Sequence, residues 1–147
     1  MKIFTSSKVF SGYSTCFRQW RADSHCKYLH GYALEFHVTF QGPLDHRNWV
    51  MDFGSFKRNE IKEWLEGWFD HTTVIADDDP LLSNFQELNK IGAIQLRVMD
   101  NVGCEMFAEF VYKHINDVVE GETGNRVHVK QVTCHEHQIN AASYIGF

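Results

Sequence analysis

The clearest pattern in the chain is an alternation of side-chain polarity over residues 28–41. Apolar or aromatic side chains occupy every second position there, at Tyr32, Leu34, Phe36, Val38 and Phe40. A period of two is typical of a strand with one buried face, and His30 falls on the same face as Tyr32. Weaker alternation predicts further strands over residues 2–10, 94–98, 127–136 and 141–147.

Two segments instead show the apolar spacing of amphipathic helices. The first is capped by Asp52 or Ser55, ends near residues 69–71, and has apolar side chains at i, i+3, i+4 and i+7: Ile61, Trp64, Leu65 and Trp68. The second covers residues 102–119 after a cap at Asp100 or Asn101. The polar stretches 11–27 and 72–92 are predicted loops, the latter with a helical turn near 81–88. Strands paired around two helices indicate an antiparallel α+β sheet.

Composition and charge limit the classes of protein to which the chain can belong. It has 147 residues, of which 44% are hydrophobic, and we expect a single domain over residues 1–147. The net charge of −5 argues against a protein that mainly binds nucleic acid or an anionic membrane. No apolar run is long enough to span a bilayer, and the N-terminal residues lack the apolar stretch of a signal peptide. Four scattered cysteines do not make a disulfide framework, so we expect reduced thiols and a cytoplasmic location.

Cys26 is the first candidate for chemistry. It lies between His25 and Lys27, four residues before His30, where a polar loop joins the 28–41 strand. Neighbouring positive charge increases the thiolate fraction of a cysteine, which is how a nucleophilic or proton-abstracting thiol is made. The alternative, about equally favoured by these residues alone, is a small buried hydrophobic side chain beside a surface lysine.

Two further candidates carry carboxylates. Asp70 and His71 follow the first helix, and a carboxylate that orients an imidazole is a recurrent proton-relay arrangement. Adjacent residues seldom face each other, however, so an ordinary helix terminus is the more frequent explanation. Glu136 lies near a strand end, where its carboxylate could hold an aminopyrimidine edge by two parallel hydrogen bonds or be simply an exposed charge. Strand alternation directs Glu136 away from His135 and His137.

Six short fragments, in order along nearly the whole chain, resemble one family. They are FSGYS at 10–14, HCKYLHGY at 25–32, MDFG at 51–54 with Lys57, the Asp70-His71 pair, NVGCE at 101–105, and Glu136 followed by Tyr144. Together they resemble the 6-pyruvoyl-tetrahydropterin and 6-carboxy-tetrahydropterin synthases. The short spacing from Cys26 to His30 is more similar to the bacterial carboxy-type enzyme of the queuosine pathway than to the animal pyruvoyl-type enzyme.

The resemblance implies a tunnelling fold, in which sheets from several subunits close a barrel with helices outside and active sites at subunit interfaces. It implies a homo-oligomer, a trimer or hexamer, that acts as a lyase on 7,8-dihydroneopterin triphosphate to give 6-carboxy- or 6-pyruvoyl-tetrahydropterin. By the same resemblance, Cys26 is the proton shuttle, Asp70 and His71 are its partners, and Glu136 holds the pterin ring.

Zinc is the point at which the chain departs from the family pattern. Family members ligate zinc with three histidines, and this chain has Ser14, His30 and Tyr32 at those positions. Neutral hydroxyls are poor zinc ligands, and one histidine does not hold the ion tightly. Zinc is therefore either absent, or His30 binds it with Cys16, His25 or a residue of another subunit.

Three classes of function follow from these residues. The leading one is the pterin lyase, and intact Cys26, Asp70 and His71 favour it. The second is a non-catalytic pterin-binding homologue that retains Glu136 and has lost the metal. A purely structural oligomer is disfavoured, because it gives no reason for these four residues to occur together in register.

Overall fold

The structure is a computed structural model that describes residues 1–146, and its strands form one six-stranded sheet in the order β4-β3-β1-β2-β5-β6. The strands are β1 Phe4–Phe17, β2 His30–Gly42, β3 Thr72–Ala76, β4 Leu96–Met99, β5 His128–His135 and β6 Ala141–Ile145. The helices are α1 Ser55–Arg58, α2 Ile61–Phe69, α3 Leu82–Lys90 and α4 Cys104–Thr123, and a single 3-10 turn covers His25–Lys27. The predicted last strand included Phe147, which lies outside the described residues.

The sheet is mixed, and the expectation of an antiparallel sheet with two helices is wrong in both respects. Strand β2 pairs antiparallel with β1 and β5, and β5 pairs antiparallel with β6. Strand β3, in contrast, runs parallel to both β1 and β4. Parallel neighbours require a crossover connection, and α3 supplies it between β3 and β4. The oligomeric barrel stays a prediction.

Two predicted loops contain strands. All five residues of β3 are buried, so the segment shows no alternation and was predicted as loop. Strand β1 continues to Phe17 through a bulge between Phe10 and Tyr13, where Gly12 adopts a positive φ of 88°. The bulge shifts the alternation by one residue, and this shift hides the second half of β1 from a periodicity argument.

The first predicted helix is two helices in the structure. Glu60 lies between α1 and α2 with a left-handed φ of 66°, which interrupts the helical path. Asp52 does not cap α1 with its side chain, because Gly54 holds the N-cap position. Its Oδ1 atom instead accepts the Gly54 N–H at 2.9 Å, while its carbonyl accepts the Ser55 hydroxyl.

Helix α4 begins at Cys104, two residues later than predicted. Gly103, with a φ of 119°, is its N-cap, in place of Asp100 or Asn101. No helix among residues 1–146 is both long enough and apolar enough to cross a bilayer.

The hydrophobic core lies between the helices and one face of the sheet. Phe36 of β2 packs on Phe69 of α2 with ring centroids 4.8 Å apart, and Phe17 of β1 packs on Phe107 of α4 at 5.0 Å. The other face carries mainly polar side chains, such as the Thr133 and Ser143 hydroxyls 2.7 Å apart. No described element of the chain covers that face, so the sheet is amphipathic.

Candidate functional site

Cys26 lies in the 3-10 turn of the segment that joins β1 to β2. Its backbone N–H donates to the Ser24 hydroxyl at 3.3 Å, which caps the turn. The side chain is half-buried and its thiol is free. This exposure contradicts the alternative of a fully buried hydrophobic residue.

Glu136 lines a cavity together with Tyr32 near the start of β2, and Cys26 lies in the turn that precedes this strand. Burial raises the pKa of the Tyr32 hydroxyl above its usual value, and the nearby Glu136 carboxylate and Cys26 thiol add to the effect. The His30 ring meets the Tyr32 ring edge-on with centroids 5.2 Å apart, as their shared strand face predicts. His30, Tyr32 and Glu136 therefore lie together at the end of β2 that the Cys26 turn enters.

Glu136 is the first residue after β5, where the chain leaves the sheet. Its N–H donates to the Asn140 carbonyl at 3.1 Å and closes the β5–β6 turn. His135 points the other way and stacks on His37 with centroids 4.2 Å apart, as alternation predicts. The same prediction is wrong for His137, whose ring lies 5.9 Å from that of Tyr32, because the strand has already ended.

A pair of buried thiols lies behind Glu136. Cys134 Sγ is 3.6 Å from Cys104 Sγ, and both side chains are buried. The hydrogen bond with Cys134 and burial raise the pKa of Cys104 far above its usual value, and Glu136 adds a smaller contribution. Sequence patterns do not reveal this pair, because it joins a helix start to a strand.

Asp70 and His71 face each other despite being adjacent. His71 adopts a left-handed φ of 57°, which brings its Nδ1 to 3.1 Å from Asp70 Oδ1. The same oxygen accepts the Ser14 N–H at 3.1 Å. That backbone hydrogen bond and the His71 ring lower the pKa of the Asp70 carboxyl, against the opposing effect of burial. The pair is thus both a helix terminus and an oriented carboxylate–imidazole pair.

Three side chains that the sequence patterns did not single out cap the last carbonyls of α2. The Thr15 hydroxyl donates to the Phe69 carbonyl, the Thr72 hydroxyl to that of Trp68 at 2.8 Å, and Arg97 Nε to that of Gly67 at 2.7 Å. Carbonyls at a helix C-terminus have no partner within the helix, so each of these bonds satisfies an otherwise free acceptor. Together they set the position from which Asp70 and His71 leave the helix.

The two groups of candidate residues border different cavities. His71 lines a cavity of about 470 Å³ together with Ser14, Cys16 and Gln95. Glu136 lines a second one, also about 470 Å³, and both cavities border residues 31–33. Within one chain, His71 and Glu136 therefore do not face a common space.

The residues at the three expected zinc positions do not fit a zinc site. Ser14 pairs with Ala33, and Thr15 with Tyr32, so Ser14 points to the opposite sheet face from Tyr32 and His30. Tyr32 offers only a phenol hydroxyl, which is not among the usual zinc ligands of proteins, imidazole, thiolate and carboxylate.

Within one chain, Cys16 and His25 do not complete the site, and a ligand from another subunit stays a prediction. Cys16 lies on the Ser14 face, and its Sγ is 3.1 Å from Thr73 Oγ1. His30 Nδ1 donates to the Tyr28 carbonyl at 2.6 Å, which leaves a single ring nitrogen for a metal. Across residues 1–146, no three His, Cys, Asp or Glu side chains are grouped closely enough to hold a metal ion, and His25 joins no such group.

Residues 7–146 match the family described as 6-pyruvoyl tetrahydropterin synthase, almost the whole of the chain. The chain belongs to the 6-pyruvoyl tetrahydropterin synthase family. This confirms the resemblance found in the six sequence fragments.

One curated relative and several solved structures are similar to the chain. Over 55 residues the chain is 34% identical to a 6-carboxy-5,6,7,8-tetrahydropterin synthase of Rickettsia typhi, a match that covers 37% of this chain and 39% of that protein. An uncharacterized protein of Wolinella succinogenes has a similar structure, with a TM-score of 0.82 at 19% identity over 100% of both chains. The 6-pyruvoyl tetrahydropterin synthase of Caenorhabditis elegans superimposes with a TM-score of 0.68 at 19% identity, covering 100% of this chain and 98% of that one. At this identity the structural likeness establishes the fold.

Proposed function

We propose that the protein is a lyase acting on 7,8-dihydroneopterin triphosphate to give 6-carboxy- or 6-pyruvoyl-tetrahydropterin. Membership of the pterin synthase family supports the reaction class. The observation that carries the proposal is the cavity that Glu136 lines together with Tyr32, at the end of β2 into which the turn carrying the free Cys26 thiol leads. A thiol that moves protons and a carboxylate that anchors the ring are the two groups such a reaction needs at one place.

Each of the two residues has a separate task. The Glu136 carboxylate accepts two N–H groups from the 2-amino-4-oxo edge of the pterin, an arrangement that fixes the plane of the ring. As a thiolate, Cys26 Sγ accepts a proton from the substrate side chain and becomes a thiol, which then returns the proton at a neighbouring atom, a transfer that requires an accessible side chain. The half-buried position of Cys26 meets that requirement.

We further propose that Asp70 and His71 reach Cys26 from a neighbouring copy of the chain. The His71 side chain is 76% exposed and lines a different cavity from Glu136. The sheet also ends at β4 on one side and β6 on the other, and neither outer edge pairs with a described strand. Exposed strand edges favour association with another chain.

The second candidate function is a non-catalytic pterin-binding protein. The observation that favours it is the poor zinc-ligand set, above all Ser14 on the wrong face of the sheet. A site that retains Glu136 but lacks a Lewis acid would bind the ring without the charge stabilisation that a metal gives the transition state.

Turnover of 7,8-dihydroneopterin triphosphate by the purified parent and by Cys26→Ala separates the two functions. For a lyase, the parent converts the substrate, and Cys26→Ala loses turnover while it binds pterin nearly as tightly as the parent, because Glu136 is intact. For a binding protein, the parent and the variant bind equally and neither turns the substrate over. Full activity in Cys26→Ala would contradict the proton-shuttle role.

Co-expression of Cys26→Ala with His71→Ala tests the shared site. If the two residues come from different copies, some sites in the mixed oligomer are intact and activity returns, although each variant alone is inactive. If one chain supplies both residues, every site lacks one of them and the mixture stays inactive.

A further inference from the structure

An ion pair ties the segment that carries Cys26 to the turn between β3 and α3. Arg18 Nε donates to Asp79 Oδ2 at 2.8 Å, and Arg18 Nη2 donates to Asp79 Oδ1 at 2.6 Å, which makes a bidentate pair. The Asp79 side chain is 1% exposed and that of Arg18 is 14% exposed. The pair is therefore shielded from water, and its geometry is more constrained than that of a surface pair.

Arg18 also holds the far end of the same segment. Its Nη1 atom donates to the carbonyl of Lys27, the residue directly after Cys26, at 3.1 Å. The next residue, Gln19, donates its N–H to the Cys26 carbonyl at 2.9 Å. These two hydrogen bonds join residues 18–19 to residues 26–27, the two ends of the segment. Arg18 also binds this junction to the buried Asp79 carboxylate.

The Asp79 carboxylate is held by a second hydrogen bond besides those from Arg18. Asp79 Oδ1 also accepts the Leu81 N–H at 2.8 Å, where α3 begins. Burial alone would raise the pKa of the Asp79 carboxyl, but the hydrogen bonds from Arg18 and Leu81 outweigh it and hold the pKa below its usual value. Asp79 is therefore ionised at neutral pH, and removal of either partner leaves a buried charge uncompensated.

A second ion pair beside the first has the same chemistry without the burial. Arg21 Nη2 donates to Asp78 Oδ2 at 2.7 Å, with the two side chains 70% and 44% exposed. Exposed pairs of this kind contribute little to stability or position. The Arg21 pair is therefore a matched control within the same segment and the same turn.

We propose that Arg18 and Asp79 are positioning residues that set the location of the Cys26 thiol through the Lys27 carbonyl. This inference rests on the proposed role of Cys26 as the proton shuttle. A displacement of about 1 Å at a reacting group can lower a rate by about 100-fold. A substitution at Arg18 or Asp79 that moves the Cys26 thiol by a fraction of that distance should therefore lower turnover.

The test compares Arg18→Lys and Asp79→Asn with the control Arg21→Lys. Two quantities are measured for each: the alkylation rate of Cys26 relative to Cys16 in the same chain, and the kcat and KM for 7,8-dihydroneopterin triphosphate. Arg18→Lys keeps both charges and loses the three-donor geometry. Protection of the buried Cys104 and Cys134 thiols from alkylation shows that a variant is folded.

We expect both variants of the buried pair to raise the relative alkylation rate of Cys26 and to lower kcat by about tenfold or more, with KM little changed. Arg21→Lys should leave both quantities within about twofold of the parent. The partners of Arg18 and Asp79 are each other, Lys27 and Leu81, whereas Glu136 follows β5, so the ring anchor stays in place and KM is expected to hold.

The proposal would be overturned if the folded Arg18→Lys variant had the same relative alkylation rate of Cys26 and the same kcat as the parent protein. It would also be overturned if Arg21→Lys changed these two quantities as much as Arg18→Lys does. If Asp79→Asn does not fold, Arg18→Lys decides alone. If the proposed function is wrong, Cys26→Ala turns the substrate over as fast as the parent protein does. In that case the alkylation rates still test whether Arg18 and Asp79 set the position of the Cys26 thiol.

Discussion

Replacement of Thr15 by valine should destabilise the fold at the point that holds the Asp70–His71 pair. Thr15 is 2% exposed, and its hydroxyl donates to the Phe69 carbonyl at the end of α2. Valine has nearly the same shape, so the substitution leaves no cavity and removes only the donor. The carbonyl then stays buried without its hydrogen bond.

The expected loss follows from that one unsatisfied acceptor. An unpaired buried polar group costs about 1–3 kcal/mol in the free energy of unfolding. For a chain of this size, each kcal/mol lowers Tm by roughly 2–4 °C. Thr39→Val is the matched control, because its hydroxyl lies on the uncovered sheet face and makes only a 3.4 Å contact with Ser7. Its effect should stay within about 0.5 kcal/mol.

Guanidinium denaturation, followed by tryptophan fluorescence at one fixed protein concentration, measures the difference. Thr15→Val should lower the midpoint while the dependence on denaturant is unchanged, since the surface exposed on unfolding is the same. The fixed concentration removes the contribution of subunit association. Equal midpoints for Thr15→Val and Thr39→Val would refute the reasoning that the hydroxyl satisfies a buried helix terminus.

Four further outcomes are expected. Glu136→Gln should weaken binding of pterins about ten- to a hundredfold, because a charged hydrogen-bonding group worth about 1.5–3 kcal/mol is lost, while Glu87→Gln on an exposed helix surface should not. Purified protein dialysed against a weak chelator should carry well under one zinc per chain by metal analysis, and stoichiometric zinc would contradict this. Burial, with smaller contributions from nearby carboxylates, raises the pKa of Tyr13 to about 12. Its folded-state pKa lies above the unfolded value, so the stability it contributes should be present below about pH 10 and lost as pH rises towards 12, and Tyr13→Phe should reduce the loss of stability over this range in denaturation curves. Cys104 and Cys134 should resist alkylation until denaturant is added, as mass spectrometry of labelled peptides would detect.

The local sequence determined those features that depend on a repeating or contiguous pattern. Strand β2 follows from strict alternation, because one face of it is buried and the other is not. Helix α4 follows from its apolar stripe, and the last two strands from weaker alternation. The family follows from short fragments in fixed order, which need no structure to be compared.

Tertiary structure decided what depends on contacts between distant segments. Strand β3 is buried on both faces between two parallel neighbours, so its own residues carry no period from which it could be predicted. The bulge at Gly12 turned Ser14 to the opposite face from His30, a one-residue shift whose consequence appears only when the strands pair. Arg18 and Asp79 lie 61 residues apart and become partners because β1 and β3 are neighbours in the sheet. The sequence specifies which chemical group each residue carries. Only the fold determines which of these groups are buried together, because burial and distance are properties of the packed chain.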